Sequence, residues 1–371
     1  MTLIKGICKP DFDLVRQAFS DHFSRFSVRG AAVSVYLRGE VAVNLWGGFI
    51  DTQKQKPWQK NTLVNVFSVG KPFIALALLK AFHDNRLSLD QPVAKYWPEF
   101  ASAGKEKITV QGLLSHQSGI PAVRALMKVE DLLDWDFCVR TLEKEAPWWD
   151  PGSTAGEQAV FYGYGVGELI RRVTGSGPSE YFHENIAKPF ELDLYFGVPA
   201  SEISRVTDLW FRQIPSFGCE PGKTKISAQQ VNNPPVLDNP GFVNSAEFRK
   251  GVIPAINGHS HAETLAKFYA VMGQALCGEG SYPLERDILL QAASVQYDGF
   301  DEVLGESVKW CLGFQKGEHG SVGHAGLGGF DAFCHPETGI AYSYVSNSPD
   351  DFTQSEYILD ALRSSINNPL V

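Results

Sequence analysis

The segments with the strongest strand character stand at opposite ends of this sequence, and that separation constrains the fold more than any other feature. Near the start, Ala31–Leu37 and Val41–Trp46 are apolar, β-branched runs divided by Arg38-Gly39-Glu40, the pattern of a hairpin with a short glycine-containing loop. Near the end, Gly313–Asn347 reads as strands, with a turn over Gly317–Gly320 and alternation over Ala341–Val345. If the two sets pair, the product is one antiparallel sheet with the intervening chain as an insertion. Apolar residues at three- to four-residue spacing (Phe12, Val15, Phe19, Phe23, Phe26) predict an amphipathic helix over Asp11–Phe26, and a second helix follows over Asp351–Ile366. Both are expected on one face of the sheet. The reading is an α/β chain of the α+β kind: a discontinuous domain of residues 1–93 and 252–371, and a mostly helical insertion over 94–251.

Helical patterns occupy Asp131–Glu145 and Tyr162–Val173, and Ala262–Cys277 is a further helix. Ile214–Phe242, rich in Pro, Gly and Asn and without a period, is expected to be a long loop. At 44% hydrophobic and 20% charged residues the chain can build a core, which excludes a disordered or fibrous protein. The longest apolar runs, such as Pro72–Leu79, fall far short of the ~18 residues of a membrane span. A net charge of −9 disfavours nucleic acid or anionic lipid as partner. The opening Met1–Pro10 has no apolar signal region. Cys8, Cys138, Cys219, Cys277, Cys311 and Cys334 form no Cys-x-x-Cys pair, so a reducing, cytoplasmic location is expected.

No Gly-x-Ser-x-Gly elbow is present, which argues against a nucleophile of the α/β-hydrolase kind. Ser-x-x-Lys occurs twice, at Ser68-Val-Gly-Lys71 and Ser102-Ala-Gly-Lys105. Context separates them. Ser102 falls in a polar stretch, Ala101–Lys107, and is expected in a surface loop. Ser68 stands where a strand-like segment runs into an apolar helix, so Ser68 and Lys71 share one face of its first turn. A helix N-terminus also favours developing negative charge. A serine hydroxyl needs an adjacent base, and lysine serves only if burial or another cation keeps it neutral. Taken alone, the tetrapeptide reads as an ordinary N-cap followed by a solvated first-turn lysine.

Three longer stretches carry a resemblance. Phe67-Ser-Val-Gly-Lys-Pro-Phe73, Leu87–Phe100 and Ile108–Gly119 resemble, in that order, the serine β-lactamase-like hydrolases, a family of class C β-lactamases, D-Ala-D-Ala carboxypeptidases and family VIII carboxylesterases. Pro151-Gly152 and Gly163–Arg172 are similar to its middle region. Gly323-His-Ala-Gly-Leu-Gly-Gly329, followed by Tyr342–Asn347, is similar to its third box, in the form found in the esterase branch. The resemblance spans residues 30 to 350. It implies a β-lactamase/transpeptidase-like fold and a cofactor-free serine enzyme acting on small ester substrates.

Residue by residue, the resemblance implies Ser68 as nucleophile, Lys71 as the group helping to take its proton, and the backbone N–H groups of Ser68 and Leu327 as the oxyanion hole. Such donors are typically worth ~3–4 kcal/mol each in the transition state. His324 and Gly326 would lie beside the substrate. The second box departs from the family: Glu157 stands ten residues before Gly167, where the family has a tyrosine, while Tyr162 and Tyr164 read as core residues of the following helix. A carboxylate there should stabilise the Lys71 ammonium and itself take the serine proton, which implies weak hydrolysis. The rivals are a β-lactamase, peptidase or acyltransferase of the same family, a non-catalytic binding protein, and a metal hydrolase built on His259-Ser-His261-Ala-Glu263. The last lacks the second acid–His pair, since Thr264 follows Glu263.

Overall fold

In a computed structural model, which describes residues 2–51, 53–211, 225–317 and 319–366, the two chain ends do pair. The strands in chain order are β1 (Ile4–Cys8), β2 (Gly30–Leu37), β3 (Glu40–Gly48), β4 (Val64–Asn65), β5 (Tyr195–Phe196), β6 (Gly258–Ser260), β7 (Tyr297–Asp301), β8 (Glu306–Trp310), β9 (Gln315–Lys316), β10 (Val322–Gly326), β11 (Phe330–His335) and β12 (Ile340–Ser346). Nine form one antiparallel sheet in the order β1-β3-β2-β12-β11-β10-β9-β8-β7, and β4, β6 and β5 form a small second sheet. The seam between the ends is β12 on β2, in register from Ile340 opposite Leu37 to Ser346 opposite Ala31.

Every residue of β12 is buried, so its alternation separates two cores rather than core from solvent. On one face Tyr342 and Tyr344 join Phe12, Val15, Phe19, Ile358 and Leu362, which brings the helix Asp13–Arg25 and the helix Thr353–Ser365 together on that face as expected. On the other face Ala341 and Val345 belong to the larger core, with Leu265 and Phe268 of the helix Ala262–Cys277. That larger core surrounds the helix Lys71–His83, in which Pro72–Leu79 are all buried. A helix hydrophobic all round belongs at the centre of a fold.

Some expectations are revised. Within Ile214–Phe242 the described part carries two short helices, Lys225–Asn232 and Pro240–Val243; Asn239 starts the second, its Oδ1 accepting the Phe242 N–H at 3.1 Å. Helices this short leave no readable period. The helix expected over Asp131–Glu145 breaks at Asp134, whose extended backbone ends one short turn and whose side chain caps Trp135–Lys144. Residues 212–224 and 318 lie outside the described residues, so part of the expected loop, one residue of the Gly317–Gly320 turn and Cys219 do too. The other five cysteines are free. No helix among the described residues is long and apolar enough to cross a membrane.

Candidate active site

The turn that presents Ser68 is built by long-range pairing and local strain together. Val64 and Asn65 pair with Ser260 and His259 of β6. The chain then reverses through Phe67, which adopts a left-handed φ of 47°. For a bulky non-glycine residue this is a strained conformation that surrounding structure must hold. Asn65 Oδ1 accepts the Phe67 N–H at 3.1 Å, and the Phe67 ring stacks on Phe330 with 6.0 Å between centroids. Ser68 follows in a 3-10 turn, Phe67–Gly70, that continues directly into Lys71–His83.

Lys71 is fully buried, and its ammonium donates to Ser68 Oγ at 2.7 Å and to Glu157 Oε1 at 2.5 Å. Burial pushes the Lys71 pKa below the ordinary lysine value, while the Glu157 carboxylate pulls it back up. The three residues that the resemblance implied, Ser68, Lys71 and Glu157, thus meet. Tyr162 and Tyr164 are buried in the helix Phe161–Thr174 instead, their hydroxyls donating to Leu114 O at 3.2 Å and Leu132 O at 2.5 Å.

The Glu157 segment has no regular structure, yet it is tied on three sides. Its N–H donates to Asp301 Oδ1 at 3.2 Å, its carbonyl accepts from Gln230 Nε2 at 2.5 Å, and the next N–H, of Gln158, donates to His116 Nδ1 at 3.1 Å. Buried Asp301 also accepts from the N–H groups of Val303 and Leu304, both at 2.9 Å, and from the Trp310 indole at 2.8 Å. Burial still raises its pKa, against the pull of those donors. Asp301, Gln230 and His116 were not singled out in the sequence: Gln230 falls in the expected loop, and nothing local marks Asp301.

β10 closes the other side. A Cβ on Gly326 would sit 2.6 Å from Val66 O, so only glycine lets this strand approach the Ser68 turn. His324 is buried, and its Nδ1 lies 2.6 Å from Ala325 O. Burial and the Lys71 charge hold its pKa down at about 4, opposed by Glu157. His116 is pushed well below its usual value by the same causes, and its ring packs 4.7 Å from Tyr162 and 4.4 Å from Trp310. Ser68 and Leu327 both border two cavities. One, of about 280 Å³, is walled by Glu157, Glu306, Trp310 and His324; the other is apolar, walled by Phe67, Val160, Val236, Leu237 and Ile256.

The second Ser-x-x-Lys is arranged differently. Ser102 is an exposed surface residue as expected, with an extended backbone at a break within Pro98–Gly104, and its Oγ donates to Glu143 O. Lys105 is buried and donates to the carbonyls of Ser102 and Glu143, both at 2.8 Å, and of Glu145 at 2.5 Å. Those contacts lock a turn. The His259, His261 and Glu263 side chains are also dispersed: His259 Nδ1 is 2.7 Å from Asn257 O, His261 Nε2 is 3.3 Å from Asp193, and Glu263 pairs with Lys60 at 3.0 Å. No metal-capable group of three or more such side chains occurs among the described residues.

The Beta-lactamase family model matches residues 15–364, and the chain belongs to that family. It is 28% identical over 355 residues to Esterase/beta-lactamase LipL of Mycobacterium tuberculosis, covering 92% of this chain and 82% of that one. Among solved structures, a penicillin-binding protein homologue from Caulobacter crescentus superposes with a TM-score of 0.87 at 32% identity, covering 98% of this chain and 100% of the other. A family VIII carboxylesterase gives a TM-score of 0.87 at 30% identity with the same coverage. The fold is therefore β-lactamase/transpeptidase-like, and these relatives support a serine ester hydrolase at the level of the family.

Proposed function

We propose that this protein hydrolyses small or short-chain carboxylic esters through an acyl-enzyme on Ser68. The observation that carries the reading is the buried chain Ser68 Oγ–Lys71 Nζ–Glu157 Oε1, at 2.7 and 2.5 Å. Ser68 Oγ attacks the ester carbonyl and forms the new C–O bond. Its proton passes to Lys71 as Lys71 hands one to the Glu157 carboxylate, so the ammonium is retained and the proton rests on Glu157. The negative oxygen of the tetrahedral intermediate is received by the N–H groups of Ser68 and Leu327. Collapse breaks the bond to the alcohol, whose oxygen takes the proton back by the same route. Water then repeats the sequence on the acyl-serine and releases the acid.

An ester is favoured over a β-lactam or a peptide with a terminal carboxylate. His324, with its pKa near 4, is neutral at pH 7 and offers no charge to such a carboxylate. The close Lys71–Glu157 pair favours slow turnover, because a carboxylate is a weaker base than a phenolate. A panel of chromogenic esters of increasing acyl length, with a cephalosporin as control, tests the reading. Turnover of short esters with an acyl mass increment on Ser68 is the expected result. Turnover of the cephalosporin alone, or an adduct elsewhere, rejects it.

A further inference from the structure

We propose that the polar cavity beside Ser68 selects esters whose alcohol portion carries an ammonium group, with Glu306 as the selecting residue. This rests on the ester reading above and names the substrate class that the same site would take.

The two cavities at Ser68 divide the substrate. Glu157, which holds the proton that Lys71 relays to the departing alcohol, borders the polar cavity and not the apolar one, so the alcohol is assigned to the polar side. The apolar pocket, walled by Val160, Val236, Leu237 and Ile256, has room for only about 30 Å³, so it takes no more than the first part of a short acyl chain.

The chemistry of the polar cavity is one-sided. Its described lining includes two carboxylates, Glu157 and Glu306, and no lysine or arginine. Lys71 is fully buried and engaged with Ser68 and Glu157, so that pair is internally neutralised. Glu306 is exposed at the start of β8, where alternation puts it on the face of Val308 and Trp310. The lysine of the same strand, Lys309, belongs to the opposite face and turns to Asp298 at 3.6 Å. The Glu306 charge is thus left facing the cavity. His324, held neutral by burial and the nearby Lys71 charge, adds no opposing cation to the cavity wall. Phe352, half-buried at the cavity wall, supplies aromatic surface, which suits a cation and tolerates alkylated ammonium. An anionic alcohol portion would meet only repulsion.

The test compares three butyrate esters on the full chain: choline butyrate, its uncharged dimethylbutyl isostere and an anionic sulfopropyl ester, with kcat/KM read by titration of released acid. The expected order is choline ester at least ~10-fold above the isostere and the sulfopropyl ester at least ~10-fold below it. In Glu306→Gln the choline-to-isostere ratio should collapse toward one. A ratio near one in the unaltered protein overturns the inference while leaving the ester reading intact. A high ratio that survives Glu306→Gln overturns the assignment to Glu306. If no ester turns over, the ester reading fails, and the inference is decided by fluorophosphonate labelling of Ser68: selective protection by choline butyrate sustains cation selection, and equal protection by the isostere ends it.

Discussion

Lys71 and Glu157, 86 positions apart in sequence, meet at 2.5 Å in the interior, with the lysine side chain fully buried and the glutamate nearly so. Neither charge could be buried alone, because an unpaired ammonium or carboxylate in such a place would neutralise instead. The pair fixes the proposed proton route. Glu157→Gln keeps the size and removes the basic site, so ester kcat should fall by ~10²–10⁴-fold. Glu157→Tyr, which restores a phenol, should exceed the parent in turnover of a short-chain ester. Steady-state kinetics on folded variants decides both. A Gln variant as fast as the parent excludes Glu157 as the base.

Ser68→Ala should lower ester turnover by ~10⁴-fold or more. It should also abolish labelling by a fluorophosphonate probe. Ser102→Ala should leave both unchanged, since Ser102 is exposed and its lysine is held by three main-chain carbonyls. Persistent labelling in Ser68→Ala, with the adduct located by peptide mass spectrometry, would assign the nucleophile elsewhere.

Gly326→Ala should act through geometry alone. The added methyl, 2.6 Å from Val66 O and 3.1 Å from Val69 Cγ2, forces β10 away from the Ser68 turn. A displacement near 1 Å at a reacting centre typically costs ~10²-fold in rate. The expected signature is a loss in kcat with a native circular dichroism spectrum. Undiminished kcat would show that the Leu327 N–H is not needed where it stands.

Asp301 separates stability from turnover. In Asp301→Asn, Oδ1 can still accept from Glu157, Val303 and Leu304, but the new amide opposes the Trp310 indole N–H. The variant should lose about 1–3 kcal/mol of stability with kcat nearly kept. Asp301→Ala releases the Glu157 segment as well, so kcat should fall further while KM stays close to the parent value. Denaturant melts and kinetics on the two variants together test this. A kcat kept in Asp301→Ala would mean that Gln230 and His116 hold Glu157 without it.

Acid should destabilise the fold through its buried histidines. His22 and His324 have pKa values lowered to about 4, and His259 to about 3, in each case mainly by burial. The unfolded chain takes these protons near pH 6.5. Between pH 6.5 and 4 the unfolded state binds more protons, so the stability present above pH 6.5 is lost as pH falls. The slope is about 1.4 kcal/mol per pH unit for each such histidine. Melting temperature measured from pH 7.5 to 5 should fall monotonically, and less steeply in His22→Phe. A flat profile would contradict the burial of these rings.

What could be read from the sequence was local. The Gly39 hairpin, the phenylalanine-spaced first helix and the all-apolar helix behind Ser68 each announce themselves within a short window. Glu157 is marked only through the family resemblance, by its place ten residues before Gly167. β7 and β8 leave little trace in the sequence because Tyr297–Asp301 and Glu306–Trp310 carry few β-branched residues, and several of their positions face solvent. Asp301 matters through what reaches it from Glu157 and Trp310, which is tertiary information. His116 lies within a stretch that resembles the family, yet its part depends on a left-handed backbone at φ 61° and on Gln158, 42 positions away.

The seam of β12 on β2 has a consequence for synthesis. Ser346 donates to the carbonyl of Gly30 across 316 positions of sequence. At ribosomal speeds of roughly 5–20 residues per second, β2 emerges roughly 15–60 s before the partner that covers its edge. Through that interval the β2–β3 hairpin exposes an unpaired ladder and two apolar faces, a template for association with neighbouring nascent chains. Ser68 is synthesised early too, but Gly326, which closes its turn, follows only after β6 and the chain between. A growing chain therefore carries its proposed nucleophile without the strand that would let it react, and chaperone demand should concentrate on this waiting period.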